Sequence, residues 1–274
     1  MMELVLNNLP TIAALVGTGI FAGLLAGLLG VGGGIVIVPV LFFLFQSFGV
    51  SPQSAMYIAT GTSLATIIPT SISSIRSHRK KGNVDAALLK QWGALILAGV
   101  LLGSWLVTKV DGRYLTTLFG IVATLSALNM LFRTGKSALA ESLPGRVGQS
   151  IMAACIGFFS SMVGIGGGTL SVPILTAFNY PAHKAVGTAA AIGLIISLPA
   201  ALYLLMFGQT PQDAPLGTYG YINLVGFVCI VPLTVLCAPI GAGIASKLDA
   251  NMLKKIFAVV LLITGTRMLA QLFI

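Results

Sequence analysis

Charged residues are scarce in this chain of 274 residues. Only 8% are Asp, Glu, Lys or Arg, whereas soluble domains carry roughly 25%. Hydrophobic residues make up 57% of the chain, and its mean hydropathy is +1.01. A protein with this composition cannot present a water-facing outer surface. The composition therefore excludes a soluble globular enzyme, a disordered chain and a nucleic-acid-binding protein. The apolar runs are too long for barrel strands, so the sequence predicts an all-α integral membrane protein.

Cysteine and buried acidic residues are also rare. The three cysteines, Cys155, Cys229 and Cys237, lie inside apolar segments, and their odd number and spacing argue against a disulfide framework or a zinc site. No Asp or Glu lies in the middle of an apolar segment, so a carboxylate-based proton or sodium relay has no visible residues. We therefore predict no enzyme activity, no metal and no cofactor. No Lys or Arg precedes the first apolar run, so no cleavable signal peptide is predicted.

Ten apolar segments are predicted from windows of about 20 residues, the length that suits a membrane-spanning helix. Two of the segments, 35–48 and 169–180, are too short for comfortable spans, and each directly follows a glycine cluster. These two pieces are either full spans or halves of re-entrant hairpins. The predicted segments are 11–29, 35–48, 54–75, 91–108, 115–132, 148–163, 169–180, 185–207, 221–246 and 253–273.

The two halves of the chain repeat the same motifs in the same order. A Gly-Φ-Gly-Gly-Gly cluster at 30–34, with Pro39 after it, recurs 134 residues later at 164–168, with Pro173. An Ala-x-Gly-Thr motif that ends at Thr62 recurs 126 residues later, ending at Thr188. A third block, 103–111, recurs 138 residues later. The sequence thus predicts two repeats of about five helical elements each.

The distribution of basic residues predicts that the repeats have opposite orientations. The segment 76–81 is densely basic and is placed in a cytoplasmic loop, whereas its counterpart at 208–220 has no Lys or Arg. Counting outwards from this loop puts both termini outside and 12 of the 15 basic residues inside. The predicted domains are a first transmembrane repeat (1–135), a cytoplasmic linker (136–147) and a second, inverted repeat (148–274).

The glycine clusters are the strongest chemical signal. Inverted repeats are typical of secondary transporters, whose sites lie near the bilayer midplane between interrupted helices. A broken helix presents free amide N–H groups at the start of its next half, and these groups favour an anion. Close helix packing is the alternative reading of the small residues, and it is preferred for Gly23 and Gly27. The predicted anion-binding glycines are Gly30, Gly32, Gly33, Gly34, Gly164, Gly166, Gly167 and Gly168.

Hydroxyl side chains beside the second motif can also donate to an oxyanion. Thr62, Ser63 and Thr188 are predicted substrate contacts, with a hydrogen bond to their own helix as the alternative role. Arg267 lies near the outer end of the last helix, where it either snorkels to the interface or attracts anions. Because no carboxylate relay is visible, the membrane potential is the predicted driving force for anion export.

These motifs resemble those of the TauE/SafE family of membrane proteins. The resemblance rests on the duplicated Gly-Φ-Gly-Gly-Gly with its Pro, the Gly-Thr motif of each half, and blocks ending in Lys109-x-Asp111 and Lys247-x-Asp249. It covers about 11–273. The halves differ in that Ala189 stands where the first half has Ser63.

The resemblance implies an exporter of sulfite, sulfoacetate or other organosulfonates in a bacterial-type plasma membrane. The residues alone predict an anion transporter with an interrupted-helix site, and the sulfur chemistry comes only from the resemblance. An anion channel, or an importer of a related sulfur oxyanion, is the alternative. The predicted partners are a small anionic substrate and membrane lipid, with no nucleic acid. The oligomeric state is left open, a homo-oligomer being one alternative.

Overall fold

Helices make up nearly all of the regular structure. A computed structural model describes residues 13, 16–17, 19–24, 34–132, 142–245 and 250–271. Residues 19–24 are helical and belong to the first predicted segment. The remaining helices are α1 (Gly34–Ser47), α2 (Pro52–Lys80), α3 (Ala86–Val107), α4 (Gly112–Phe132), α5 (Arg146–Val163), α6 (Gly167–Ala177), α7 (Ala182–Phe207), α8 (Leu224–Ala245) and α9 (Ala250–Ala270).

The helices follow the predicted segments closely, with two differences. The chain at 218–223 forms a small antiparallel hairpin, β1 (Thr218–Tyr219) with β2 (Ile222–Asn223), where the sequence predicted the start of a helix. The basic stretch at 76–80 was predicted to be a loop, but it forms the last turns of α2. Helix α2 ends only at Lys80, with Lys81 as its C-cap, just before Gly82 adopts a left-handed φ of 70°.

Length and exposed surface identify the membrane-spanning helices. Among the described residues, five helices are long and apolar enough to cross a bilayer, namely α2, α3, α4, α5 and α7. Helix α6 has 11 residues and a length of about 16 Å, roughly half of a bilayer's hydrocarbon core. Large apolar side chains such as Leu102, Leu125 and Met206 lie on the outer surface of the bundle. This is a multi-pass membrane protein, and α6 is only a half-span.

Glycine residues let the helices pack with their backbones close together. A methyl group at Gly99 of α3 would overlap the backbone of Ala154 in α5, and one at Gly157 would overlap Ile96. A methyl group at Gly23 would lie 2.7 Å from the Cα atom of Thr234 in α8. Small residues are therefore required at these helix contacts, and the predicted packing role of Gly23 is consistent with its position.

Helices α2 and α7 pack against each other in the middle of the bundle. Helix α2 begins with Ser51 as N-cap and Pro52 in the first turn, a combination that favours helix initiation. Both α2 and α7 continue through internal prolines, Pro69 and Pro199. The short helices α1 and α6 pack against this pair, α1 against α2 and α6 against α7. The described break, before α6, therefore lies beside the central pair.

Candidate functional site

The second glycine cluster forms a sharp break between α5 and α6. Helix α5 ends at Gly164, whose left-handed φ of 75° favours glycine. The amides of Gly164 and Ile165 both donate to the carbonyl oxygen of Ser160, at 3.0 and 3.1 Å. Gly166 is extended, and α6 starts at Gly167. The helical conformation is thus interrupted for three residues, 164–166.

This break contacts the middle of α2. A methyl group at Gly164 would lie 2.8 Å from the Cα atom of Thr60, and the Ser63 hydroxyl donates to the Gly164 carbonyl oxygen at 2.7 Å. Glycine is therefore needed at 164 for two reasons, its backbone conformation and the close approach of α2. The hydrogen bond from Ser63 satisfies a carbonyl that would otherwise have no helical partner.

The start of α1 reaches the same place from the other half of the chain. A methyl group at Gly34 would lie 3.0 Å from the backbone nitrogen of Gly166 and 3.1 Å from the Cα atom of Ile165. It would also lie 2.7 Å from the side chain of Ile67 in α2. The last glycine of the first cluster therefore touches the second cluster. The predicted residues Gly30, Gly32 and Gly33 lie outside the described residues.

A cleft opens beside the break, between α2, α6 and α7. The cleft is small, and the centre of a water molecule can move through about 20 Å³ of it. Helix α2 contributes its polar stretch one to two turns before the basic end, and α7 contributes small residues. The lining residues are Ile67, Thr70, Ser71, Ser74, Gly166, Gly167, Gly168, Ala189, Ala190 and Gly193.

The cleft favours negative charge although no charged side chain lines it. Gly167 and Gly168 occupy the first turn of α6, where amide N–H groups have no intrahelical acceptor. Neither amide donates to another residue in the described part of the chain. The positive end of the helix dipole lies at the same point. The buried hydroxyl of Thr169, in the same turn, likewise has no partner among the described residues.

The two predicted threonines hold loops from the opposite half of the chain. The hydroxyl oxygen of Thr62 accepts the amide N–H of Asn223 at 2.9 Å, and that of Thr188 accepts the amide N–H of Asp85 at 3.0 Å. The glycine before each threonine allows the loop backbone to approach the helix closely. A methyl group at Gly61, for example, would overlap the carbonyl of Tyr221. The Gly-Thr motif therefore has a positioning role, and its predicted contact with substrate stays a prediction.

Ser71 and Gly193 are two of the seven lining residues that were not among the predicted site residues. Both lie inside long helices, where a single serine or glycine is common. A signal was nevertheless present, since Ser197 follows Ser71 at the offset of 126 residues that relates Thr62 to Thr188. Ser71 is 4% exposed, and Ser197 is fully buried with an unpaired hydroxyl among the described residues.

Arg267 contacts an aromatic ring near the end of the bundle. Its guanidinium carbon lies 4.8 Å from the ring centre of Phe43 in α1, the geometry of a cation–π contact. The described residues contain no group of three or more His, Cys, Asp or Glu side chains that could hold a metal ion. Cys155, Cys229 and Cys237 are free thiols.

Comparison with known proteins identifies the family of the chain. The family model described as "Sulfite exporter TauE/SafE" matches residues 15–268. The chain belongs to the TauE/SafE family. TauE/SafE proteins are membrane transporters rather than enzymes, so the prediction that the chain is not an enzyme is confirmed.

Several similar proteins carry the name "Probable membrane transporter protein". One from Haemophilus influenzae is 31% identical over 250 residues, which cover 91% of this chain and 95% of the relative. One from Methanocaldococcus jannaschii is 30% identical over 268 residues, covering 92% of each chain. One from Bacillus subtilis is 27% identical, covering 94% of this chain and 97% of the relative. No solved structure matches this TauE/SafE protein.

Proposed function

We propose that this TauE/SafE protein moves small sulfur-containing oxyanions, such as sulfite, sulfoacetate or other organosulfonates, outward across the plasma membrane by alternating access. One observation carries the proposal: a cleft without charged side chains meets the free amides of a half-span helix beside the centre of α2. Sulfite and sulfonate groups present only acceptor oxygens and a delocalised negative charge, which suits amide and hydroxyl donors. The description of the family as sulfite exporters supports the sulfur chemistry.

The proposed substrate site is formed by the two glycine clusters. Gly166, Gly167 and Gly168 line the cleft, while Gly34 contacts Gly166. Gly164 shapes the break, and Gly30, Gly32 and Gly33 complete the cluster of the first half in this proposal. Thr62, Ser63 and Thr188 act beside the site, through their contacts with the loops and with the break.

The proposal includes two inverted repeats, 1–135 and 148–274, joined by a linker. Paired contacts support it. Gly61 contacts Tyr221, and Gly187, 126 residues further on, contacts Asn83, which lies 138 residues before Tyr221. These are the offsets that relate the sequence motifs of the two halves. The same contact therefore occurs twice with the halves exchanged, as expected for a pseudo-twofold axis in the membrane plane.

We place the basic end of α2 in the cytoplasm and both termini outside. The helix carries His78, Arg79 and Lys80 in its last turn, and positive residues favour the cytoplasmic side. Ser71 and Ser74 lie on the last turns of α2 before this basic end, so the cleft lies nearer to the cytoplasmic end of α2 in this orientation. An exporter would load its substrate from that side.

The membrane potential is the proposed driving force. No carboxylate lines the cleft, so substrate movement has no acidic residue to couple it to protons or sodium. Moving one negative charge outward releases about 2.3 kcal/mol per 100 mV of inside-negative potential. That energy corresponds to a gradient of roughly fiftyfold.

Flux measurements in liposomes test the function. Purified protein is reconstituted, and sulfite efflux is followed under an imposed potassium diffusion potential, with a pH gradient at zero voltage as the comparison. Saturable efflux that rises with inside-negative voltage, and that shows counterflow, supports the exporter. Single-channel currents would indicate an anion channel instead, and accumulation against the potential would indicate an importer. The absence of sulfite or organosulfonate flux in any condition would contradict the proposal.

A further inference from the structure

A small cradle lies over Gly193 of α7, inside the cleft. A methyl group placed on Gly193 would lie 3.0 Å from the hydroxyl oxygen of Ser71 and 3.4 Å from the backbone nitrogen of Gly167. It would lie 4.0 Å from a side-chain methyl of Ile67. The Ser71 hydroxyl and the Gly167 amide therefore converge beside the Gly193 backbone from different elements, at the edge of the cleft that all three residues line.

The two donors that face this space are buried and have no partner in the described part of the chain. The Ser71 side chain is 4% exposed and makes no hydrogen bond to a described residue. Its neighbour Thr70 differs, since its hydroxyl donates back to the carbonyls of Thr66 and Ile67. Buried polar groups in proteins are nearly always paired. Ser71 is buried, lines the cleft and does not donate to a carbonyl of its own helix, so its hydroxyl is placed to bind a ligand.

The chemistry of the cradle selects an anion. Its polar groups are an amide donor at a helix N-terminus and a hydroxyl that is free to donate, and no carboxylate lines the cleft. The helix dipole adds a positive potential, which repels a cation. Ile67 forms an apolar wall of the cleft. An oxygen of a small oxyanion fits this set of groups.

We infer that Ser71, Gly193 and the Gly167 amide form the head-group subsite of the proposed transport site. The oxyanion end of the substrate occupies the cradle, and its substituent lies along α2 towards Ser74. The inference rests on the proposed function and adds two residues to it, Ser71 as a donor and Gly193 as the residue whose lack of a side chain admits the oxyanion. Head-group size is limited at Gly193, whereas the substituent lies beside Ser74.

Binding to the purified full-length protein tests this inference. Sulfite and sulfoacetate are titrated by calorimetry in detergent against wild type, Ser71→Ala and Gly193→Ala. Loss of one hydrogen bond to a charged group weakens binding by about tenfold or more, so Ser71→Ala should lower both affinities by that factor. In Gly193→Ala the added methyl fills the cradle and should abolish binding, and rotation of the Ser71 side chain keeps the fold intact.

Gly93→Ala is the matched control, because a methyl group there meets only the Ile195 side chain, at 4.0 Å. It should bind as wild type does. Wild-type affinity in both Ser71→Ala and Gly193→Ala would overturn the cradle while leaving the transport function standing. Absence of oxyanion binding in wild type would instead remove the proposed function. Should Gly193→Ala fail to fold, the Ser71→Ala titration alone decides, since that change removes one oxygen without adding volume.

Discussion

The hydroxyl oxygen of Thr188 accepts the backbone N–H of Asp85 at 3.0 Å, which joins the middle of the second half to a loop of the first. Asp85 is also the N-cap of α3, where its carboxylate accepts the amides of Ala87 and Leu88. Thr62 and Asn223 repeat this relationship on the other loop, at 2.9 Å. Asn223 in turn accepts the amide of Gly226 at the start of α8. Each threonine therefore fixes the start of a helix that belongs to the opposite half.

Replacing Thr188 with valine should destabilise the protein without changing its volume. The Asp85 amide would lose its acceptor; an unpaired buried donor costs about 1–3 kcal/mol, and this part-buried amide lies at the lower end of that range. Thermal unfolding in detergent should show a lower midpoint for Thr188→Val and a nearly unchanged one for Thr188→Ser, which keeps the hydroxyl. Sulfite titration of both variants separates the two roles of Thr188, since a purely positioning residue leaves the affinity of the folded protein unchanged.

Replacing Gly61 with alanine should prevent normal folding. The new methyl group would overlap the carbonyl of Tyr221, and neither α2 nor the hairpin backbone can move without breaking the Thr62–Asn223 hydrogen bond. Overpacking of this kind typically costs about 1–3 kcal/mol, and a backbone clash lies at the upper end. Size-exclusion profiles of Gly61→Ala and the control Gly93→Ala provide the measurement. A monodisperse Gly61→Ala peak at wild-type yield would contradict the proposed close approach.

Two neighbouring glycines of the break should respond differently to alanine. A methyl group at Gly167 would lie 2.6 Å from the backbone nitrogen of Gly193 and 2.7 Å from the carbonyl of Ala189, so it should force α6 away from α7. At Gly166 the methyl group meets only the Ile67 side chain, at 3.5 Å. Gly167→Ala should therefore lose both stability and transport, whereas Gly166→Ala should remain folded with reduced affinity. Equal transport by both variants would argue against a role for the break.

The contact between Tyr180 and Asp85 should depend on pH. The Tyr180 hydroxyl donates to the Asp85 carboxylate at 2.5 Å, and this bond, followed by the Leu88 and Ala87 amides, lowers the pKa of the carboxyl. A lowered folded-state pKa stabilises the protein above the unfolded value of about 3.9, and the effect is lost as pH falls through the folded value. The difference in thermal unfolding midpoint between wild type and Tyr180→Phe should therefore be constant between about pH 5 and 8, because this range lies above both pKa values. The difference should shrink below about pH 4. A difference that instead grows on acidification would exclude this contact.

The helices were predictable because apolar length alone specifies a span in a bilayer. The two short segments were predictable for the same reason, since the glycine clusters interrupt the hydrophobic runs. The sequence could not reveal which carbonyl comes close to Gly61 or Gly187, because that depends on a loop more than 100 residues away. The repeat offset pairs Ser71 with Ser197, but the sequence could not show that Ser71 lies opposite Gly193, because the two residues belong to different helices.

The shortness of α6 has an electrical consequence. Where an aqueous cleft penetrates as far as Gly166, the conducting medium extends that far too, and the transmembrane voltage falls across the remaining layer around Ile67. When the same voltage falls across a thinner layer, the electric field in that layer is stronger, and a charge that moves a short distance crosses more of the voltage. A rocking motion of a few ångströms would then carry a bound charge through much of the voltage drop.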